Sequence, residues 1–142
     1  MAFESIYRIA GSAMNAQTVR LNTVASNLAN IDSAASSAED VYQARRPLFA
    51  AVYNNDELTQ GVGMGGAHVQ VLDVVTAQRE AMKRYEPGNP LAGPDGYVFY
   101  PAVNEIEEMT DMMSATRSFE TNVEVLNRLK SMQQGLLRLG EV

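Results

Sequence analysis

Few side chains in this chain have the type and spacing that chemistry needs. Gly61-Val-Gly-Met-Gly-Gly66 spells G-x-G-x-x-G, the turn that cradles a dinucleotide. That turn works only between a strand and a helix, because the helix N-terminus must face the pyrophosphate. Here polar residues 54–60 precede it and a strand-like stretch follows, so it reads as a loop and no cofactor is expected. His68 is the only histidine and reads as a surface or strand-edge residue. There is no cysteine, which excludes disulfides, thiolate zinc sites and cysteine nucleophiles. Glu105, Glu107, Glu108 and Asp111 could mimic a carboxylate metal site, but no histidine completes a Glu-x-x-His pattern. Their place at the start of a helical stripe explains them as charges favoured by the helix dipole. No nucleophile is paired with a base, so neither a catalytic residue nor a metal is expected and the chain does not read as an enzyme.

The elements that would position such residues explain more than the residues do. The chain has 142 residues, 46% hydrophobic and 20% charged, the mix of a folding protein. A net charge of −6 argues against a nucleic-acid partner, which needs a basic face. No apolar run reaches the roughly 18 residues needed to cross a bilayer, so no direct membrane insertion is expected. The first residues lack the basic start and apolar core of a signal peptide, so any export would use another route.

Residues 3–31 carry Phe3, Tyr7, Ala10, Met14, Leu21, Val24, Leu28 and Ile31 on alternating steps of four and three, with Gln17 the one polar member. This is the seam of a coiled coil or bundle. Gly11 is a weak point within it. Residues 33–40 read as a linker. Strands are expected near residues 69–75 and 97–100, with a third over 42–52 broken by Pro47. Residues 61–66 and 87–96 are rich in turn formers.

A last helix is expected over residues 105–139. Asn104 sits at its N-cap with Glu107 in the capping-box place, and Gly140 stands as its stop. Its apolar stripe is read as Ile106, Met109, Met113, Thr116, Phe119, Val123, Leu126, Leu129, Met132 and Leu136. The fold expected is mainly α with a small β-rich insert, the long terminal helices pairing as an antiparallel coiled-coil-like hairpin. The organisation expected is 1–33 as the N-terminal helix, 34–101 as linker and β-rich middle, and 102–142 as the C-terminal helix, the two helices forming one core. Stripes this wide usually face more than one neighbour. Either helices of other chains cover the surplus, or the middle zone packs over it. Eight methionines fit adaptable contact faces and ordinary core filling equally well.

Three blocks carry a resemblance. Ala25-Ser-Asn-Leu-Ala-Asn30, preceded by Arg20-Leu21, resembles the N-terminal signature of flagellar axial proteins of the rod and hook. Tyr85-Glu-Pro-Gly-Asn-Pro-Leu-Ala-Gly-Pro-Asp-Gly-Tyr-Val98 and Ser114-Ala-Thr-Arg-Ser-Phe-Glu-Thr-Asn-Val-Glu-Val-Leu-Asn127, then Lys130-Ser-Met132, resemble the central and C-terminal signatures of that family's proximal-rod branch. The blocks stand in the family's order and span nearly the whole chain. Ser26, Gly93-Pro94, Phe119-Glu120 and Gly135 depart from the usual pattern, and residues 48–66 match none of it.

The resemblance implies a structural subunit of the flagellar proximal rod. It implies export through the flagellar type III apparatus, a place in the periplasmic part of the basal body, and partners that are other rod proteins and further copies of the chain. The rod would act as a shaft carrying motor torque to the hook. Joined to the stripes, it implies subunit interfaces at Phe3, Tyr7, Met14, Leu21, Val24, Asn27, Leu28, Asn30 and Ile31. On the last helix it implies Met109, Met113, Phe119, Val123, Leu126, Leu129, Met132 and Leu136. Asn27 and Asn30 can be a solvated face or a helix cap; the resemblance favours register-fixing hydrogen bonds between subunits. Tyr85, Pro87, Gly88, Pro90, Gly96 and Tyr97 mark a signature loop. A cytoplasmic helical adaptor or export chaperone would share the amphipathic ends and the acidity but lack the three signatures.

Overall fold

The computed structural model describes residues 2–53 and 67–140. The chain runs α1 (Ala2–Ala29), β1 (Arg45–Tyr53), β2 (Ala67–Thr76), β3 (Met82–Tyr85), β4 (Tyr97–Tyr100) and α2 (Glu105–Leu139). The G-x-G-x-x-G stretch at 61–66 lies outside the described residues, as does the part of the unmatched 48–66 segment beyond Tyr53.

The helices form where the sequence places them, and α2 starts for the reason it gives. The Asn104 side chain accepts hydrogen bonds from the backbone N–H groups of Ile106 and Glu107, satisfying two donors that the first helical turn leaves free. Glu107 does not complete a reciprocal box; its carboxylate turns to Arg46 and Arg79, 3.8 Å from each. At the other end Gly140 donates its N–H to the carbonyls of Leu136 and Leu137, with ordinary right-handed backbone at φ −88°.

The insert is two separate antiparallel ribbons, β1 with β2 and β3 with β4. Pro47 does not break the first. It pairs opposite Val74, and a bulge follows between Leu48 and Phe49. A two-stranded ribbon has only edge strands, where a missing N–H can point away from the ladder. The second ribbon contains β3, which the alternation rule misses: Met82-Lys-Arg-Tyr85 has no apolar face of its own. It is held by pairing with Tyr97–Tyr100, by Arg84 over the Tyr100 ring at 4.6 Å, and by Lys83 over the Phe99 ring at 5.6 Å. An isolated bridge between Ala35 and Phe99 ties it to the segment after α1.

α1 is the central element, packed against α2 and against both strands of the first ribbon. Its sequence stripe is accurate: Phe3, Tyr7, Met14, Gln17, Leu21, Leu28 and Ile31 are half-buried, and Ala10 and Val24 are buried. Steps alternating four and three drift only slowly round a helix of 3.6 residues per turn. Cross-links run antiparallel along the pair, with the Tyr7 hydroxyl 3.3 Å from Gln133 and the Arg20 guanidinium 2.7 Å from Asp111.

The α2 stripe needs correction. Phe119 and Leu126 are half-buried and Leu129 is buried, but Ile106, Met109, Met113, Val123, Met132 and Leu136 are exposed. The positions shielded along α2 follow Glu108, Met112, Ala115, Phe119, Asn122, Leu126, Leu129 and Gln133, with Asp111 and Ser118 beside them. The reason is geometric. The sequence stripe advances in steps that are too short, so at 100° per residue it drifts about 240° round the helix from Ile106 to Leu136. No single neighbour can cover it. The shielded positions keep to steps of four and three and hold one side.

Candidate functional site

At one end of the helix pair, α1, β1 and α2 meet in a polar junction. Asn27 is 1% exposed and all of its amide is used. Its Nδ2 donates to the Arg45 carbonyl at 2.9 Å and to Glu108 Oε2 at 3.0 Å. Its Oδ1 accepts from the Arg45 N–H at 2.8 Å and from the Tyr42 hydroxyl at 2.9 Å. The side chain thus mimics a strand for the backbone of Arg45 and anchors β1 where it begins. Ser26 adds a hydroxyl contact to Tyr42 at 3.1 Å.

Glu108 is also 1% exposed. It accepts from Asn27 on one oxygen and from Arg46 on the other, at 3.0 Å each. Arg46 reaches on to Asp111 at 3.3 Å, and Arg20 completes the set on the other oxygen of Asp111. Two arginines from the first third of the chain thus meet carboxylates that α2 alone supplies. Sequence reasoning placed Glu108 and Asp111 as helix-start charges; the structure also gives them partners. The available signal was Glu108 itself, an acid in four–three spacing with Met112, Ala115 and Phe119.

This arrangement binds α1, β1 and α2 to one another. Every junction carboxylate named has a cationic or amide partner. Among the described residues no group of three His, Cys, Asp or Glu is placed to hold a metal. His68 stands opposite Val52 in the first ribbon, its buried Nδ1 without a hydrogen-bond partner among the described residues, and the same holds for Gln17 Oε1. No helix among the described residues is long and apolar enough to cross a membrane.

The signature-loop residues come together. Glu86 to Gly96 connects β3 to β4, closed by the Glu86 N–H to the Gly96 carbonyl at 2.9 Å. Gly96 has φ +73°, where a Cβ would meet Tyr85 Cε2 at 2.8 Å. Glycine is therefore required by both backbone and space. Tyr85 and Tyr97 stack edge to face at 5.4 Å. The Glu86 carboxylate accepts from Asn89 and Tyr100, each at 3.0 Å. These hydrogen bonds, Asn89's first, hold its pKa below the ordinary 4.5. The same bond to Glu86 raises Tyr100 above 10.0.

Of the residues named as interface positions, Phe3, Tyr7, Met14, Leu21, Leu28, Ile31, Phe119 and Leu126 are half-buried and Leu129 is buried. Val24 and Asn27 are spent inside the chain, and Asn30 caps locally, its Nδ2 donating to the Ser26 carbonyl at 2.8 Å. Met109, Met113, Val123, Met132 and Leu136 stand exposed on α2, joined by Ile106 and Leu137.

Comparison with known proteins gives consistent results at both ends of the chain and over its whole length. Residues 8–34 match the family described as flagella basal body rod protein, and residues 95–139 match the C-terminal family of flagellar basal body rod FlgEFG proteins. The chain is 45% identical over 141 residues to flagellar basal-body rod protein FlgC of Escherichia coli O6:H1, covering 99% of this chain and 100% of the relative. The same protein of Salmonella typhimurium is 44% identical with the same coverage. That of Bacillus subtilis is 33% identical over 153 residues, covering 99% of both chains.

Proposed function

The chain belongs to the FlgC family of flagellar basal-body rod proteins, and from that premise we propose how it serves as a structural subunit of the rod. Its family is structural, so it is not an enzyme. The observation that carries the proposal is the exposed apolar row on α2: Met109 is 51% exposed, Met113 57% and Met132 57%. An acidic chain of net charge −6 has no reason to keep such side chains in water unless neighbours cover them. The terminal helices pair like an antiparallel coiled coil, and the row on α2 meets other rod proteins and further copies of the chain. The subunit leaves the cell through the flagellar type III apparatus. It joins the proximal part of the rod in the periplasm, where the shaft passes motor torque to the hook. No observation favours the adaptor reading, and the match over the full length of rod proteins stands against it.

The test uses Met109→Asp/Met113→Asp in motile cells. Both side chains are exposed, so the isolated subunit should melt as before. The expected result is normal subunit levels with basal bodies that lack rods. Normal rods in the variant would mean that the α2 row is not an assembly surface.

A further inference from the structure

Hydrophobicity and burial disagree in the first turns of α2. Ile106 is 75% exposed while the Glu108 carboxylate beside it is 1% exposed. Met109 and Met113, also exposed, lie with Ile106 about 130° round the helix from Glu108, at 100° per residue. Turning α2 by that angle would bury three apolar side chains and return a carboxylate to water. Over these first turns burial of apolar area favours that turn, although further along it would carry Phe119, Leu126 and Leu129 out of the seam, so apolar burial alone does not decide. Something in the chain opposes the turn.

What opposes it is fixed by other elements. Arg46 is the second residue of β1, and Asn27 holds the backbone of Arg45 beside it. Together they present a guanidinium and an amide donor that need one bidentate acceptor. Glu108 bonds both, one oxygen to each. Rotating α2 would strand the Arg46 guanidinium at the helix junction without it. An amide buried without its acceptor, and a half-buried guanidinium without its carboxylates, cost more than the bonds contribute when made.

We propose that Glu108 is a rotational pin. By bonding Asn27 and Arg46 it selects the one rotation of α2 that keeps Ile106, Met109 and Met113 outward. Its work is specificity more than stability, in the way a single buried polar residue sets the register of a coiled coil. The pin acts within one chain; only its consequence, an outward row ready for neighbouring subunits, rests on the rod reading above.

The test is peroxide oxidation of the full chain as a dilute monomer, read methionine by methionine by mass spectrometry. Thioether oxidation follows solvent access. In the natural chain Met109 and Met113 should oxidise several-fold faster than half-buried Met112. In Arg46→Ala/Glu108→Ala the pin is removed without leaving a lone charge and without placing a large apolar side chain at the buried position. The apolar row then turns inward, and the rates of Met109 and Met113 fall to or below that of Met112. A double variant that remains helical and keeps the natural order overturns the pin. Should that variant fail to fold, Met109→Gln and Met113→Gln in the natural chain decide. As outward residues they leave the melting temperature within about 2 °C, whereas inward residues would lower it by roughly 5 °C or more. Because the readout is taken on the monomer, its failure would leave the rod assignment untouched.

Discussion

Replacing Glu108 with alanine removes one carboxylate and leaves two partners. Arg46 loses its 3.0 Å bond but keeps Asp111 at 3.3 Å and Glu107 at 3.8 Å, and its side chain is 35% exposed. Asn27 loses one acceptor and keeps the Arg45 carbonyl. Breaking a fully buried pair costs about 3–5 kcal/mol. Partial exposure of Arg46 and its two remaining carboxylates pull the figure down, to about 2–3 kcal/mol. For a chain of this length about 3 °C of melting temperature accompanies each kcal/mol, so the midpoint should fall by roughly 6–9 °C. Helix content followed through thermal and urea unfolding measures it. Glu107→Ala is the control, since that carboxylate is exposed and its cationic contacts are 3.8 Å away. It should change stability by less than about 0.5 kcal/mol. If the two variants melt together, the junction does not hold the fold in the way its geometry states.

Gly96→Ala forces a side chain into positive φ and against Tyr85, and should cost about 1–2 kcal/mol. Loss of the Tyr85–Tyr97 contact in proton spectra, with a lower melting midpoint, would register it. The loop should also respond to pH in a set direction. Glu86 is depressed below 4.5, so its contribution is complete above that value and is lost as pH falls through the folded pKa. Tyr100 is raised above 10.0, so its contribution is present below that value and is lost as pH rises through the folded pKa. Tyr100→Phe should move the Glu86 titration back toward 4.5, read by carboxyl carbon shifts; an unmoved titration would remove Tyr100 as a cause.

Helix α1 was legible in its apolar stripe because that pattern repeats strictly, but not in its second buried side, where Ser12 and Asn27 meet the first ribbon and Ala16 and Thr23 are buried. Helix α2 was legible in extent, through Asn104 and Gly140, but not in facing. Listing apolar residues in order cannot reveal a drifting stripe unless the steps are summed against 3.6 per turn. The four–three spacing of Glu108 with Met112, Ala115 and Phe119 was the one sign of its burial, and it was passed over because an acid at a helix start is usually explained by the dipole alone. Its partners lie far off in sequence, Asn27 at 81 residues and Arg46 at 62. Strand β3 was missed because its side chains are all exposed and pairing with β4 alone defines it. The signature loop was legible by resemblance, and the role of Gly96 follows from its φ.

The two features that sequence reasoning missed are linked. A helix whose apolar residues drift round its axis has no preferred side by hydrophobicity, because any rotation buries some and exposes others. Such a helix needs a directional contact to choose, and hydrogen bonds are directional where apolar contacts are not. The junction supplies that contact at one end of α2, where Asn27 and Arg46 meet Glu108. Further along, the Tyr7 hydroxyl meets Gln133 at 3.3 Å and keeps the other end in line. Between them the seam is filled by Met112, Ala115, Phe119, Leu126 and Leu129, and the drifting remainder is left for partners. A protein that must pair with itself and still offer apolar surface to neighbours has to settle which surface is which before they arrive. Here a buried carboxylate settles it within the chain.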